Sequence, residues 1–194
     1  MSAKLIVFEG ANRAGKTTQA KLLFDFFKSQ GFKVLYTKEP QEKGIGSIAK
    51  TLVRKSGIAP ETVALAFSAD TMQHIDEVIK PALEKYDYII ADRYYHSSYA
   101  YHPLMGCKKD WIYELHRFVL KPTLTFILDI PLSEFKNRVQ KDGADPFEKE
   151  EFQLKLRASY LEVPKILDED ISIIAGARSI QEIHSEIRKK IMYL

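Results

Sequence analysis

The chain's patterning predicts an α/β fold in three layers, a five-stranded parallel sheet covered by helices on both faces. Two observations carry this expectation. Four short apolar runs, Leu5 to Phe8, Val34 to Tyr36, Tyr88 to Ala91 and Leu124 to Leu128, recur between helical stretches, and a fifth, Ile171 to Ala175, comes late. All are rich in β-branched or aromatic residues and apolar on both faces, as strands covered on both sides must be.

The first run feeds a glycine-bearing turn and then a helix from Gly15 to about Gln30, with Ala20, Leu23 and Phe27 on one side and Gly31 as its stop. The last helix opens on Ser179 and Glu182 in capping-box spacing and repeats Ile180, Ile183, Ile187 and Ile191 along one face, an amphipathic cover for the sheet. Between Gln140 and Pro146, Gly143 and Pro146 interrupt two charged helices, so 140–147 reads as a short lid. No repeat or long linker divides the 194 residues, which read as a single domain over 1–194.

Composition narrows the function. A net charge of +3, with basic residues interleaved among acidic ones, makes no run suited to nucleic acid. Cys107 is the only cysteine, which excludes an intrachain disulfide framework or a multi-cysteine zinc site and suits a reducing cytosol. The apolar run at the N-terminus is too short for a secretory segment or a membrane span. The expectation is a cytoplasmic protein with neither a nucleic acid nor a membrane as partner.

The strongest motif is FEGANRAGKTTQ, Phe8 to Gln19, where Gly10 precedes Gly15, Lys16 and Thr17 in the G-x-x-x-x-G-K-[ST] spacing. Small residues let backbone N–H groups curl around phosphate oxygens, the helix N-terminus adds positive potential, and a lysine reaches the β and γ phosphates. Gly10, Ala11, Asn12, Arg13, Ala14, Gly15, Lys16, Thr17 and Thr18 therefore form the candidate ATP site, with the Thr17 hydroxyl offered to Mg²⁺. Arg13 either faces solvent or reaches the phosphate in transit, as an arginine finger supplied in cis would. The run Tyr88 to Asp92 ends on an acid followed by Arg93. In a parallel sheet both face the same crevice as the loop, Asp92 to manage Mg²⁺ or orient an acceptor and Arg93 to grip a phosphate.

With these blocks in hand the chain resembles the thymidylate kinase family over nearly its whole length. The resemblance rests on FEGANRAGKTTQ, on TKEP from Thr37 to Pro40, on FSADTMQH from Phe67 to His74, and on DRYYHSSYAYH from Asp92 to His102. Glu148, Arg157 and Tyr160 match a late family helix. It implies an ATP- and Mg²⁺-dependent kinase for thymidine monophosphate (dTMP). Phe67 would stack on the acceptor base, Arg93 would hold the acceptor phosphate, Ser98, Tyr101 and His102 would lie near base and sugar, and Glu39 near the transferring phosphate. Lys16, Arg13, Asp92, Arg93 and Glu39 become the candidate catalytic set. A homodimer, packed through helices such as the one carrying Trp111 and Leu115, is also implied. Family members with an arginine in the loop commonly lack an essential one in the lid, and this chain has Arg13 and none from Lys141 to Glu148.

The departures from the family pattern crowd around the acceptor. Asn12 replaces an acid that meets the sugar 3′-hydroxyl, Thr71 an arginine that contacts the pyrimidine, Lys38 an arginine before Glu39, and His102 a common glutamine, while Pro146 replaces a lid arginine. They leave open a kinase for another nucleoside monophosphate or a deoxynucleoside, and a nucleotide-binding regulator without turnover. His74, His96, His116 and His184 show no metal-ligand spacing and receive no role.

Overall fold

The computed structural model describes residues 3–139 and 149–192. Five strands, β1 (Lys4–Glu9), β2 (Val34–Lys38), β3 (Tyr88–Asp92), β4 (Leu124–Asp129) and β5 (Ile171–Ala175), make one sheet in the order β2-β3-β1-β4-β5. Every pairing is parallel. The proposed lid at 140–147, with Gly143 and Pro146, and the family match at Glu148 lie outside the described residues.

Strand alternation sorts the core into two layers. Leu5, Val7, Ile89, Ala91 and Ile127 point to one face, where they meet Ala64, Ala100, Ile112 and Leu156. Those partners come from α3 (Pro60–His74), α5 (His96–Tyr101), α6 (Lys109–Leu115) and α8 (Glu150–Ile166). Ile6, Phe8, Ile90, Phe126, Leu128 and Ile174 point to the other, against Ala20, Leu23 and Phe27 of α1 (Lys16–Ser29), Phe135 of α7 (Leu132–Arg138) and α9 (Ile180–Ile191). Helix α2 (Ile45–Arg54) packs on α3, and α4 (Lys80–Leu83) follows it through a π-turn at Ile75–Ile79. Pro81 has no N–H to give the carbonyl four residues back, a local reason for the ladder to change register there.

The predicted ends of α1 and α9 are present. Gly31 takes φ +85° after α1, and Ser179 and Glu182 close a reciprocal capping box. One detail of α9 differs. Ile183, Ile187 and Ile191 are buried, but Ile180 is 49% exposed, because at the first helical position it lies beyond the sheet, at the rim of the cleft beside the phosphate loop.

Because all five strands run the same way, their carboxyl ends lie along one edge. The register sets Asp92 opposite both Phe8 and Lys38, and Glu9 opposite Ile127. The residues that follow these ends therefore share one crevice.

Candidate active site

The turn from Gly10 to Gly15 is built on positive φ angles, 134° at Gly10, 59° at Arg13 and 101° at Gly15. Gly10 is held to glycine twice over, since a Cβ there would sit 2.5 Å from the Leu128 carbonyl oxygen. Lys16 is buried and folds its ammonium back onto the carbonyls of Gly10 and Ala11, at 3.0 and 2.7 Å. Burial and then Arg93 hold its pKa well below the usual lysine value, although Asp92 and Glu9 pull the other way. At the loop's outer side Arg138 donates to the carbonyls of Arg13 (3.1 Å), Ala14 (3.3 Å) and Gly176 (2.8 Å), while Arg13 donates to the Arg138 carbonyl (3.4 Å). Arg13, Lys16, Thr17, Arg138, Arg178 and Ile180 line a cleft of about 470 Å³ at the N-terminus of α1.

At the head of β3 the Thr17 hydroxyl donates to Asp92 Oδ2 at 2.5 Å, and the Tyr36 hydroxyl reaches the same oxygen at 3.2 Å. A hydroxyl beside a carboxylate, next to a phosphate cradle, is a donor set suited to Mg²⁺, which takes one or two protein oxygens and completes its shell with phosphate and water. Arg93 adopts φ +74° and donates its backbone N–H to the Phe8 carbonyl. One guanidinium nitrogen meets Ser97 Oγ (3.2 Å) and the Tyr160 hydroxyl (3.0 Å), the other Asn12 Oδ1 (3.0 Å) and the Tyr101 hydroxyl (3.3 Å). Burial alone would lower its pKa, but Tyr101, Tyr160, Glu9 and Asp92 more than offset it and leave the group above the usual arginine value. Beneath it Glu9, fully buried, accepts from the Tyr94 N–H, from the Ser97 N–H and hydroxyl and from the Tyr160 hydroxyl, and lies 3.9 Å from the Arg93 guanidinium.

A second cavity, about 200 Å³, opens on the other side of Arg93. Phe67 and Thr71 come to it from α3, Ser98 and Tyr101 from α5, His102 from the turn after α5, Asn12 from the phosphate loop, and Glu39 and Pro40 from the turn after β2. Lys50, Val53 and Arg54 of α2 add a wall. Inside, Glu39 is held at two points, by Thr71 Oγ1 donating to Oε2 (2.8 Å) and by His74 Nδ1 at Oε1 (2.8 Å), and His74 is in turn fixed by Thr37 Oγ1 at its Nε2 (2.6 Å). Burial raises the Glu39 pKa while His74 and Thr71 restrain the rise. Asn12 lines this cavity and Arg13 lines the cleft, so consecutive residues face the two sites.

Residues 8–187 match the thymidylate kinase family. The chain belongs to this family. A protein of Thermococcus kodakarensis described as a probable thymidylate kinase is 38% identical over 193 residues, covering 94% of each chain. One from Pyrococcus abyssi with the same description is 38% identical over 195 residues, 96% of this chain and 95% of its own. Among solved structures, thymidylate kinase from Candida albicans superposes with a TM-score of 0.82 at 25% identity, over 99% of this chain and 92% of that one. Thymidylate kinase from Ehrlichia chaffeensis gives 0.78 at 24% identity, over 98% and 100%, a likeness of fold.

For a thymidylate kinase family member, the structure brings most of the expected residues to the two sites. Asn12, Glu39, Phe67, Thr71, Arg93, Ser98, Tyr101 and His102 all line the second cavity, and Arg13 through Thr18 line the cleft. Lys38 does not join the cavity lining; it stands near enough to Lys16 to lower that lysine's pKa. Arg157, matched to the late helix, makes a bidentate pair with Asp129 at the end of β4 (2.6 and 2.9 Å), and Tyr160 supports Arg93 and Glu9. Five contributors escaped the sequence reading: Glu9, His74, Arg138, and Lys50 and Arg54 of α2. Glu9 carried a readable signal, an acid ending an apolar strand just before Gly10. His74 and Arg138 act through partners distant in sequence.

Proposed function

We propose that this protein phosphorylates dTMP to dTDP, taking the γ-phosphoryl group from ATP bound with Mg²⁺. The observation that carries the reading is the division of the phosphate loop, with Arg13 toward the cleft and Asn12 toward the cavity. A donor phosphate on one side of this turn and an acceptor phosphate on the other meet over Lys16 and Arg93.

In this mechanism the backbone of residues 10–18 cradles the ATP phosphates, and Lys16 exchanges the loop carbonyls for phosphate oxygens. Thr17 and Asp92 would hold Mg²⁺, which neutralises charge on the phosphates. Arg93 grips the acceptor phosphate, Phe67 stacks on its base, and Tyr101 and Asn12 border its sugar. Arg13 supplies positive charge to the phosphoryl group in transit. The acceptor oxygen is already anionic, so no general base is needed. A lid at 140–147 that limits hydrolysis belongs to the same reading.

The test is ADP formation with Mg²⁺ and ATP against a panel of deoxy- and ribonucleoside monophosphates. Lys16→Ala should lower kcat by about a hundredfold or more while retaining the native circular dichroism. Full activity in that variant would sink the scheme. ATP binding with no product from any acceptor would favour a regulator instead.

The reading includes a homodimer and a cytoplasmic location. Leu65 on α3 (51% exposed), Tyr113 on α6 (54%) and Phe118 just after it (79%) support the first, as apolar side chains exposed on helices that touch one another. Sedimentation of the full chain should give twice the monomer mass, and Tyr113→Glu should shift it toward monomer; an unshifted monomer in the parent overturns the dimer. No described helix is long and apolar enough to cross a membrane.

A further inference from the structure

The base-binding end of the acceptor cavity can be located from contacts. Thr71 lies one helical turn beyond Phe67 on α3, and the His102 ring centroid is 5.9 Å from that of Phe67. Glu39, bonded to Thr71, and Ser98 line the same cavity.

Their hydrogen-bonding capacity is unbalanced. A carboxylate accepts about four hydrogen bonds, and Glu39 has side-chain partners in Thr71 and His74, leaving lone pairs for a ligand. Thr71 spends its only proton on Glu39, so it too meets a ligand as an acceptor. His102 is neutral, its pKa pushed down to about 4 by burial first and His116 second, and its buried Nδ1 has no partner among the described residues. Ser98 can donate or accept. The cations of the cavity stand elsewhere: Arg93 under the phosphate, and Lys50 and Arg54 on α2, where Lys50 pairs with Glu42 at 3.1 Å. A buried acceptor fixed by two helix residues favours a base edge rich in N–H groups, such as an exocyclic amino group, over one where a carbonyl oxygen stands at that position and only the neighbouring ring N–H of thymine can be offered.

We propose that this pocket takes a 4-aminopyrimidine nucleoside monophosphate, dCMP, in addition to dTMP, with Glu39 accepting from the exocyclic amino group. The inference rests on the phosphoryl-transfer function proposed above. Ser98 turns its hydroxyl to donate to the unprotonated ring nitrogen of cytosine, where for thymine it accepts. The chemistry is unchanged: an acceptor phosphate oxygen bonds to the γ-phosphorus, the bond to the β,γ-bridging oxygen breaks, and ADP leaves with that electron pair as dCDP forms.

The experiment compares kcat/KM for dCMP, dUMP and dTMP at fixed Mg²⁺ and ATP, since dCMP and dUMP differ only at position 4 and in the adjacent ring-nitrogen proton. The parent enzyme should prefer dCMP to dUMP by at least about tenfold. Glu39→Gln, whose amide can turn a donor toward a carbonyl, and Thr71→Arg, which brings a donor to the same edge, should each lower the dCMP to dUMP ratio by at least about tenfold. Turnover of dTMP without turnover of dCMP overturns the inference and leaves the proposed function standing, whereas failure of all three acceptors removes the proposed function itself. A parent preference for dUMP, or an equal loss on dCMP and dUMP in both variants, also overturns the base-reading role. Should Glu39→Gln fail to fold, the parent ratio and Thr71→Arg decide.

Discussion

Arg93 holds a backbone conformation, φ +74°, that side chains rarely adopt. What keeps it there is a backbone bond to β1 and a guanidinium engaged by Ser97, Tyr160, Asn12 and Tyr101. Such strained residues persist only where surrounding structure over-determines them, and here the result is a guanidinium fork held in place in advance, which the proposed mechanism turns on the acceptor phosphate. Gly10 illustrates the opposite case, a residue defined by what it lacks. Gly10→Ala would press a methyl group into the Leu128 carbonyl at an unfavourable φ, and should cost about 1–3 kcal/mol in urea unfolding together with a loss of ATP affinity. The residues readable in advance, Gly10, Lys16, Thr17, Asp92 and Arg93, work through local spacing or through position at a strand end. Glu9 meets Tyr160 across 151 positions, Arg138 reaches Arg13 across 125, and His74 meets Glu39 across 35. No local pattern announces such pairs.

Among the elements, α3 concentrates most of the acceptor side. Its residues 67–74 place Phe67 and Thr71 in the cavity, hold Glu39 through Thr71 and His74, and fasten the loop before α2, since Asp70 accepts from the Gln41 N–H (3.1 Å) and Gln73 from the Ile45 N–H (3.4 Å). The helix was not legible as an organiser, because its outward amphipathic pattern is weak and its buried polar residues look like surface ones until their partners are known. By contrast α9 was legible almost completely, since a capping box and an isoleucine repeat are local signals. Ser179→Ala removes the reciprocal cap and should cost about 1 kcal/mol of stability. Urea denaturation should show a lower midpoint with an unchanged slope, and kcat should hold, because α9 meets the cleft through Ile180 and Ile183 rather than through its cap.

For the molecule as a whole, two buried histidines set an acid limit. His102 and His116 are both pushed down to about 4, chiefly by burial, and His116 donates Nδ1–H to the Ile112 carbonyl while Nε2 faces the Ser68 hydroxyl. Their folded pKa values lie below the unfolded value of about 6.5, so the unfolded chain takes up protons first. Stability is therefore complete above about pH 6.5 and falls as pH drops toward 4, by on the order of 3 kcal/mol per histidine across that window. Urea midpoints measured between about pH 7 and about pH 5 should decline, and His116→Gln should flatten the decline; a flat parent profile would contradict the assignment. The parallel sheet was legible from five apolar runs, but their spatial order was not, because hydropathy alone does not say which strand sits in the middle.

That order bears on how the protein is made. The strand at the centre is the first to be synthesised, and its neighbours β3 and β4 begin at residues 88 and 124. As the chain leaves the ribosome, this strand waits unpaired until residue 88 appears and has a neighbour on both sides only after residue 124. The phosphate loop is complete in sequence early, yet Asp92 and Arg93, which finish its surroundings, emerge only with the third strand. A nascent fragment ending before them would expose a sticky strand and an unfinished nucleotide cradle, and the growing chain would depend on holding factors until its centre is enclosed.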